Sequence, residues 1–439
     1  MLRTIKQQII FLNIVSIAFL MIFFAPLFAQ SDASSENVIV SNETLTLNDG
    51  TALTEQQVIE LALKYSRKLQ SLSTNVDIAD YRLDSSGWIR NPELRLSDQS
   101  TSHYTEEYDE LRVGLRWRIP KLGALGEDKQ QARVRLWERK VDEIRYRQQF
   151  IARVGKDYSN VLLYDQLAEL AQKRVAKENE RIRIVTQLVK LGSRSVVYFI
   201  KAKMWHAESE NDLARALQDQ GLARRKLAQR TSIAENTSLI LETLPEVTQD
   251  LDELIKLAFK NRPEIQLVQQ RIELANRQQK LEYLKLIPWF NFVDFSYRVD
   301  KIRHRESREF LTGISLPLFN WNLGNIKATN LATKKKEDES EAVKESIEDE
   351  VRSAYITYKD LLLDWKNFKS SAEELIFNAD TVVNQSKQYN TLMPDEVLEM
   401  ELTIIDAQKL LAEKRQKLAH ALYDLYYAIG IERQEQLLP

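Results

Sequence analysis

The chain has 439 residues, 62 of them basic and 64 acidic, and no cysteine. Such a balance leaves no field to hold nucleic acid, and the missing cysteine excludes disulfides, thiolate chemistry and lipid attachment through sulfur. Only 11 Gly and 9 Pro interrupt the chain, so long helices are expected to dominate.

Arg3 and Lys6 precede an apolar run from Ile9 to Phe24, followed by Ala25-Pro26-Leu27-Phe28-Ala29. That order predicts a signal peptide over 1–29 and an exported protein. Residues 30–50 are polar and rich in Ser and Asn, a flexible leader. Thr54 is placed to cap a first helix with Val58, Leu61, Ala62, Tyr65 and Leu69 on its face. This helix is expected to run to about Arg90 and stop at Asn91-Pro92, because proline cannot continue it. From Leu111 to Ile119 every odd position is apolar and every even one polar or Gly, the period of a half-buried strand. An earlier strand begins at Leu94 and Leu96, but Asp98 ends its apolar face, so a bulge or a short span is expected there. Pro120 ends the hairpin. Gly123 and Gly126 then open a helix to about Leu191, roughly 100 Å at 1.5 Å per residue. Gly192-Ser193-Arg194-Ser195 turns the chain, and Ser193 or Ser195 can cap a return helix reaching about Thr231.

After Pro245 the same layout returns. Leu257-Ala258-Phe259-Lys260 answers Leu61-Ala62-Leu63-Lys64, and Pro288 answers Pro92, each 196 residues on. Gly313 answers Gly114, Pro317 answers Pro120 and Gly324 answers Gly126. The strands of this copy carry Trp289, Asn291, Val293, Phe295, Tyr297 and Val299 on one face, then Phe310, Thr312, Ile314, Leu316 and Leu318. A seam alternating four and three runs through Ile347, Val351, Ala354, Tyr358, Leu361, Trp365, Phe368 and on to Tyr389. Its counterpart starts at Phe150 and Val154 and ends at Val189, with Asp157 and Glu178 as its only charged members. A 3.5-residue period is coiled-coil packing. The chain therefore divides into two repeats, 51–245 with a β-hairpin at 93–119 and 246–439 with a β-hairpin at 289–318.

Strands that alternate over about 10 residues suit a membrane barrel, with lipid on one side and a lumen on the other. A hairpin packed in water alternates equally well, but two at matching places in a repeat behind a signal peptide favour the barrel. Four strands cannot close one, and open edges in lipid leave backbone groups unpaired. Several chains must then share a barrel, and three would supply twelve strands.

The duplicated layout, Asn91-Pro92-Glu93-Leu94, Arg262-Pro263-Glu264-Ile265, Leu122-Gly123 with Gly126, and the stretch Leu191 to Ser195 together carry a resemblance. The chain resembles the outer membrane efflux protein family, the TolC-like channels of Gram-negative envelopes; Leu115 to Gly126 is similar to the cation-efflux (cobalt–zinc–cadmium type) branch. The resemblance implies a mainly α fold with a small β part: a homotrimer whose α-helical coiled-coil barrel continues a 12-stranded transmembrane β-barrel, four strands per chain. It implies an outer-membrane channel reaching into the periplasm and serving a tripartite efflux system for small substrates. A periplasmic adaptor (membrane fusion protein), an inner-membrane pump and outer-membrane lipid would be its partners. Two rivals rest on the same residues: a duct of this fold for type I protein secretion, and a soluble periplasmic coiled-coil scaffold.

The family's acidic periplasmic mouth corresponds to Val397-Leu398-Glu399, with Glu396 one turn before Glu399. Threefold symmetry would gather these carboxylates in a gate, against the plainer reading of two solvated glutamates on an acidic helix. Gly192, Ser193, Arg194 and Ser195, with Leu392, Met393 and Pro394 at the second tip, would dock the adaptor; that second tip lacks the family's Gly. Arg112, Arg116 and Arg118 face away from Leu115 and Trp117 and would line the barrel lumen, with plain solvent exposure as the alternative. Trp117, Trp289 and Trp321 lie at strand ends, in an aromatic belt or in core packing. His103, His206, His304 and His420 are dispersed, and no His/Asp/Glu set has metal-ligand spacing. No catalytic set or cofactor loop stands out, so neither an enzyme nor a cofactor is expected.

Overall fold

The computed structural model describes residues 52–103, 106–318, 321–389 and 392–432. The signal peptide and leader expected over 1–50 lie outside the described residues.

Among the described residues, twelve elements repeat as two sets of six. The first set is α1 (Glu55–Tyr65), α2 (Arg67–Asp84), β1 (Glu93–His103), β2 (Glu106–Arg118), α3 (Ala124–Lys190) and α4 (Val196–Thr231). The second is α5 (Leu251–Asn261), α6 (Pro263–Leu284), β3 (Trp289–Asp300), β4 (Arg305–Ser315), α7 (Leu323–Tyr389) and α8 (Pro394–Ile429). Both long helices have 67 residues and both return helices 36.

The first helix expected from the sequence is in fact two. Thr54 caps α1 with a reciprocal bond to Gln57, but the chain kinks at Ser66, whose hydroxyl accepts from the Leu69 amide and starts a new helix. In the second copy the same break stands at Arg262, 196 residues on, where Pro263 takes the first helical position. α2 ends at Asp84 and α6 at Leu284, a few residues ahead of the prolines expected to stop them.

Each repeat buries a core where its short helix meets the middle of its long helix. In the first, Val58 and Ala62 of α1 pack on Val154, Tyr158 and Val161 of α3 and Leu227 of α4. The second places Leu254 and Ala258 of α5 against Val351 and Tyr358 of α7 and the apolar end of α8, Leu418 to Ile429. Burying each such Val or Leu contributes about 1.5–3 kcal/mol. The two tyrosines hold the loops that enter these cores: Tyr158 donates to the Ile240 carbonyl at 2.6 Å, and the Tyr358 hydroxyl accepts from the Val247 amide at 3.1 Å. The charged seam members are paired inside. Asp157 takes Arg230 at 2.6 Å and Lys226 at 2.9 Å, while Glu178 takes Arg181 at 3.2 Å. The second half of α3 also packs along α8, where Leu170 meets Leu398, Leu402 and Ile405. So the two copies share one helical wall.

The strands form one antiparallel sheet in the order β1-β2-β3-β4. β1 keeps an unbroken register with β2 over all 11 of its residues, so the bulge expected there is absent. It lies in β3 instead, between Phe290 and Phe292, and corrects the predicted face: Phe290, opposite Ile314, joins Val293 and Phe295 in place of Trp289 and Asn291. β4 stops at Ser315, so Leu316 and Leu318 fall beyond it.

Candidate functional site

The pleat sorts the sheet into two chemically opposite faces. Register places Leu94, Leu96, Leu111, Val113, Leu115, Trp117, Val293, Phe295, Phe310 and Ile314 on one side. These side chains are not a core: Leu96 is 68% exposed, Phe295 53% and Phe310 67%. Trp117 and Trp321 are likewise exposed, both at the helix-side end of the strands, while Trp289 at that same end is half-buried and donates to the Pro120 carbonyl. β1 and β4 each leave one edge without a strand partner among the described residues. An apolar face and two bare edges are what a monomer in water avoids.

Arg112, Arg116 and Arg118 stand together on the other face, and each meets a carboxylate. Arg112 reaches Glu309 at 2.6 Å, Arg116 reaches Asp294 at 2.9 Å, and Arg118 reaches Glu93 at 3.1 Å. Asp294 is only 2% exposed and is also held by Arg95 at 3.1 Å. Glu309 receives a second guanidinium, Arg298, at 2.8 Å. The polar face is thus a cross-strand ion-pair lattice, which ties hairpin to hairpin more than it presents free positive charge. Near the β1–β2 turn, Asp98 ends the apolar side; Lys301 bridges it to Asp109 at 3.0 and 3.1 Å. That lattice of carboxylate partners was not read from the sequence, although the alternation of β3 and β4 places them in phase with the arginines.

The helical hairpins end in two short turns. Gly192, with φ +73°, lets the end of α3 close on itself, Ser193 and Arg194 donating their amides to the Leu188 carbonyl. Ser195 sits at the N-cap of α4 without a side-chain bond, so neither serine caps the return helix as expected. At the second tip, Met393 precedes α8 and Pro394 occupies its first position; the Met393 amide is capped at 3.0 Å by the carboxylate of Glu396. Leu392 lies half-buried beside them. Glu396 and Glu399, the expected gate pair, are both exposed but differently employed: Glu396 is bound to its own helix end, and Glu399 turns toward α3 and α4.

The residue that joins the tips is not among those the sequence singles out. Asp395 is 6% exposed, and its Oδ2 accepts from Arg194 at 2.5 Å. This bond to Asp395 holds the Arg194 guanidinium above its ordinary pKa. Its only sequence signal was position, an acid in the first turn of a helix directly after a proline. Nearly two turns further, Glu401 gathers Lys177 of α3 and Lys387 of α7, each at 2.7 Å. Burial pushes its carboxyl up, but the two ammonium hydrogen bonds outweigh that and hold it below the usual value. Among the described residues no group of three acidic or imidazole side chains is disposed to hold a metal ion.

No family model matches the sequence, and no curated protein matches it. Solved structures do match in fold. The transmembrane channel CusC superposes with a TM-score of 0.68 at 15% identity, covering 88% of this chain and 96% of its own. The outer membrane protein VceC of Vibrio cholerae gives 0.67 at 16%, covering 86% and 96%. The outer membrane channel MtrE of Neisseria gonorrhoeae, in its open state, gives 0.67 at 18%, covering 86% and 89%. At these identities the likeness is one of fold. It extends over most of this chain and nearly the whole of each neighbour.

Proposed function

We propose that this chain is one protomer of a trimeric outer-membrane exit duct of the TolC-like kind, and that it conducts passively. One observation carries the reading: a four-stranded sheet whose exposed side is apolar, whose other side is ionic, and whose two edges are bare among the described residues. In lipid each unpaired backbone group costs several kcal/mol, so β1 of one chain must pair with β4 of another. Three copies close twelve strands, with the apolar side against acyl chains and Arg112, Arg116 and Arg118 toward the lumen. The fold shared with outer-membrane channels supports the same location, and α3, α4, α7 and α8 then continue the duct into the periplasm.

The tips are suited to take a partner. Leu191, Val196, Val197 and Ile200 cluster around the first turn, each more than 60% exposed. This is an apolar knob with no cover among the described residues, and the adaptor of an efflux system is the partner assigned to it. An inner-membrane pump would supply the energy, and small molecules or metal cations would be the cargo. Glu396 and Glu399 stand beside the second tip, at the mouth of such a duct.

The deciding experiment is membrane fractionation followed by the native mass of the detergent-extracted protein. Recovery in the outer membrane at three chain masses is expected. A monomer that dissolves freely in buffer would end the reading. Deletion of the gene, scored for sensitivity to drugs and to metals, separates efflux from protein secretion.

A further inference from the structure

Between α3, α4 and α8 the helical wall holds a polar cavity of about 400 Å³. Five carboxylates line it, Glu178 from α3, Glu208 and Asp212 from α4, and Glu399 and Asp406 from α8, against two guanidiniums, Arg174 and Arg181. Both guanidiniums are already engaged. Arg174 is ion-paired with Asp406, while Arg181 bonds Glu178 Oε1 at 3.2 Å and lies 4.8 Å over the Trp205 ring. The lining itself keeps an excess of three negative charges, and outside it Arg215 stands 4.0 Å from Asp212.

Glu178 is the telling member. Its side chain is 3% exposed, and its second oxygen, Oε2, is buried with no hydrogen-bond partner. A buried carboxylate oxygen left bare is costly, and native structures satisfy such atoms with a donor. Burial pushes this carboxyl up even though Arg181 and Arg174 pull it down, so the arginines beside it do not complete its environment.

The cavity calls for a cation, and its layout selects the kind. No three ligating groups come together for a bare metal ion among the described residues, and the carboxylates come from three separate helices. An extended molecule with several N–H donors matches that spread, each ammonium meeting its own acid. We propose that the cavity binds a linear aliphatic polyamine, with its ammonium groups shared among Glu178, Asp212 and Glu399. Bound there, it joins the first hairpin to the second a few turns back from their tips. The site belongs to a single chain and does not depend on conduction.

The test is calorimetric titration of the full detergent-extracted chain with spermidine. One site per chain is expected. Glu178→Gln and Asp212→Asn should each weaken it at least ten-fold, and Glu396→Gln, whose carboxylate caps α8 outside the cavity, should retain it. Asp212 is 52% exposed, so its variant keeps the fold even if the buried Glu178 variant does not. Absence of binding, or full binding by Asp212→Asn, overturns the proposal. So does equal loss with Glu396→Gln, which would place the cation at the mouth, or displacement of spermidine by equimolar magnesium. Each readout stands whether or not the chain proves to form a duct.

Discussion

The guanidinium of Arg194 and the carboxylate of Asp395, 201 residues apart in the chain, meet at 2.5 Å and fasten the tip of one helical hairpin to that of the other. Arg194 also lies over the Tyr198 ring, so it is held from both turns. If the duct opens by parting the hairpins, this bond must break. Arg194→Glu should raise the open fraction of single channels in planar bilayers several-fold, and combining Arg194→Asp with Asp395→Arg should return it toward the original. Currents indifferent to both changes would show that the tips part elsewhere.

Glu401 makes stability depend on acid. Its folded pKa lies below its unfolded value of 4.5, so the linked stability is complete above that pH and is lost as the pH falls through the folded value. Melting curves should therefore decline below about pH 4.5. Glu401→Gln should remove part of that decline and cost about 1 kcal/mol at neutral pH, since Lys177 and Lys387 are partly exposed and screened.

Gly155 of α3 faces the ring of Tyr423 so closely that an added Cβ would stand 2.3 Å from ring carbon Cζ. Tyr423 is buried, and α3 and α8 cannot both keep their places if that space is filled. Gly155→Ala should destabilise by about 1–3 kcal/mol, the usual cost of overpacking. Adding Tyr423→Leu should recover part of the loss in thermal melts.

The apolar side of the sheet can be probed one residue at a time. Leu115→Arg or Phe295→Arg should cost about 2–4 kcal/mol in refolding into liposomes, the penalty for arginine against lipid at mid-depth. A sheet that faced water would register no more than about 0.5 kcal/mol.

Much of the architecture was legible because helix breakers and periods are local signals. The seams from Phe150 and from Ile347 are inward-facing along much of α3 and α7, and the paired prolines and glycines marked both copies. Signals that depend on a partner were not legible. Ser66 breaks its helix as Arg262-Pro263 does, yet a serine in an apolar-periodic run is not a stop until its hydroxyl is seen bonding the Leu69 amide. The β3 bulge leaves alternation intact on either side and shifts only the first residues. Asp395 looked like one acid among several, because its meaning lies in Arg194. At the candidate mouth, Glu396 was legible as a charge but not as the cap of its own helix.

The matched helices, 67 residues outward and 36 back in each copy, act as a ruler read twice. Adding a heptad to α3 and α4 alone would leave one hairpin about 10 Å longer than its neighbour and carry Arg194 beyond reach of Asp395. Inserting the same seven residues into all four helices would keep the ends level and the seams in phase. Evolution can therefore lengthen this structure only by editing both halves of the gene together, and the distance it spans is inherited as a pair of equal numbers.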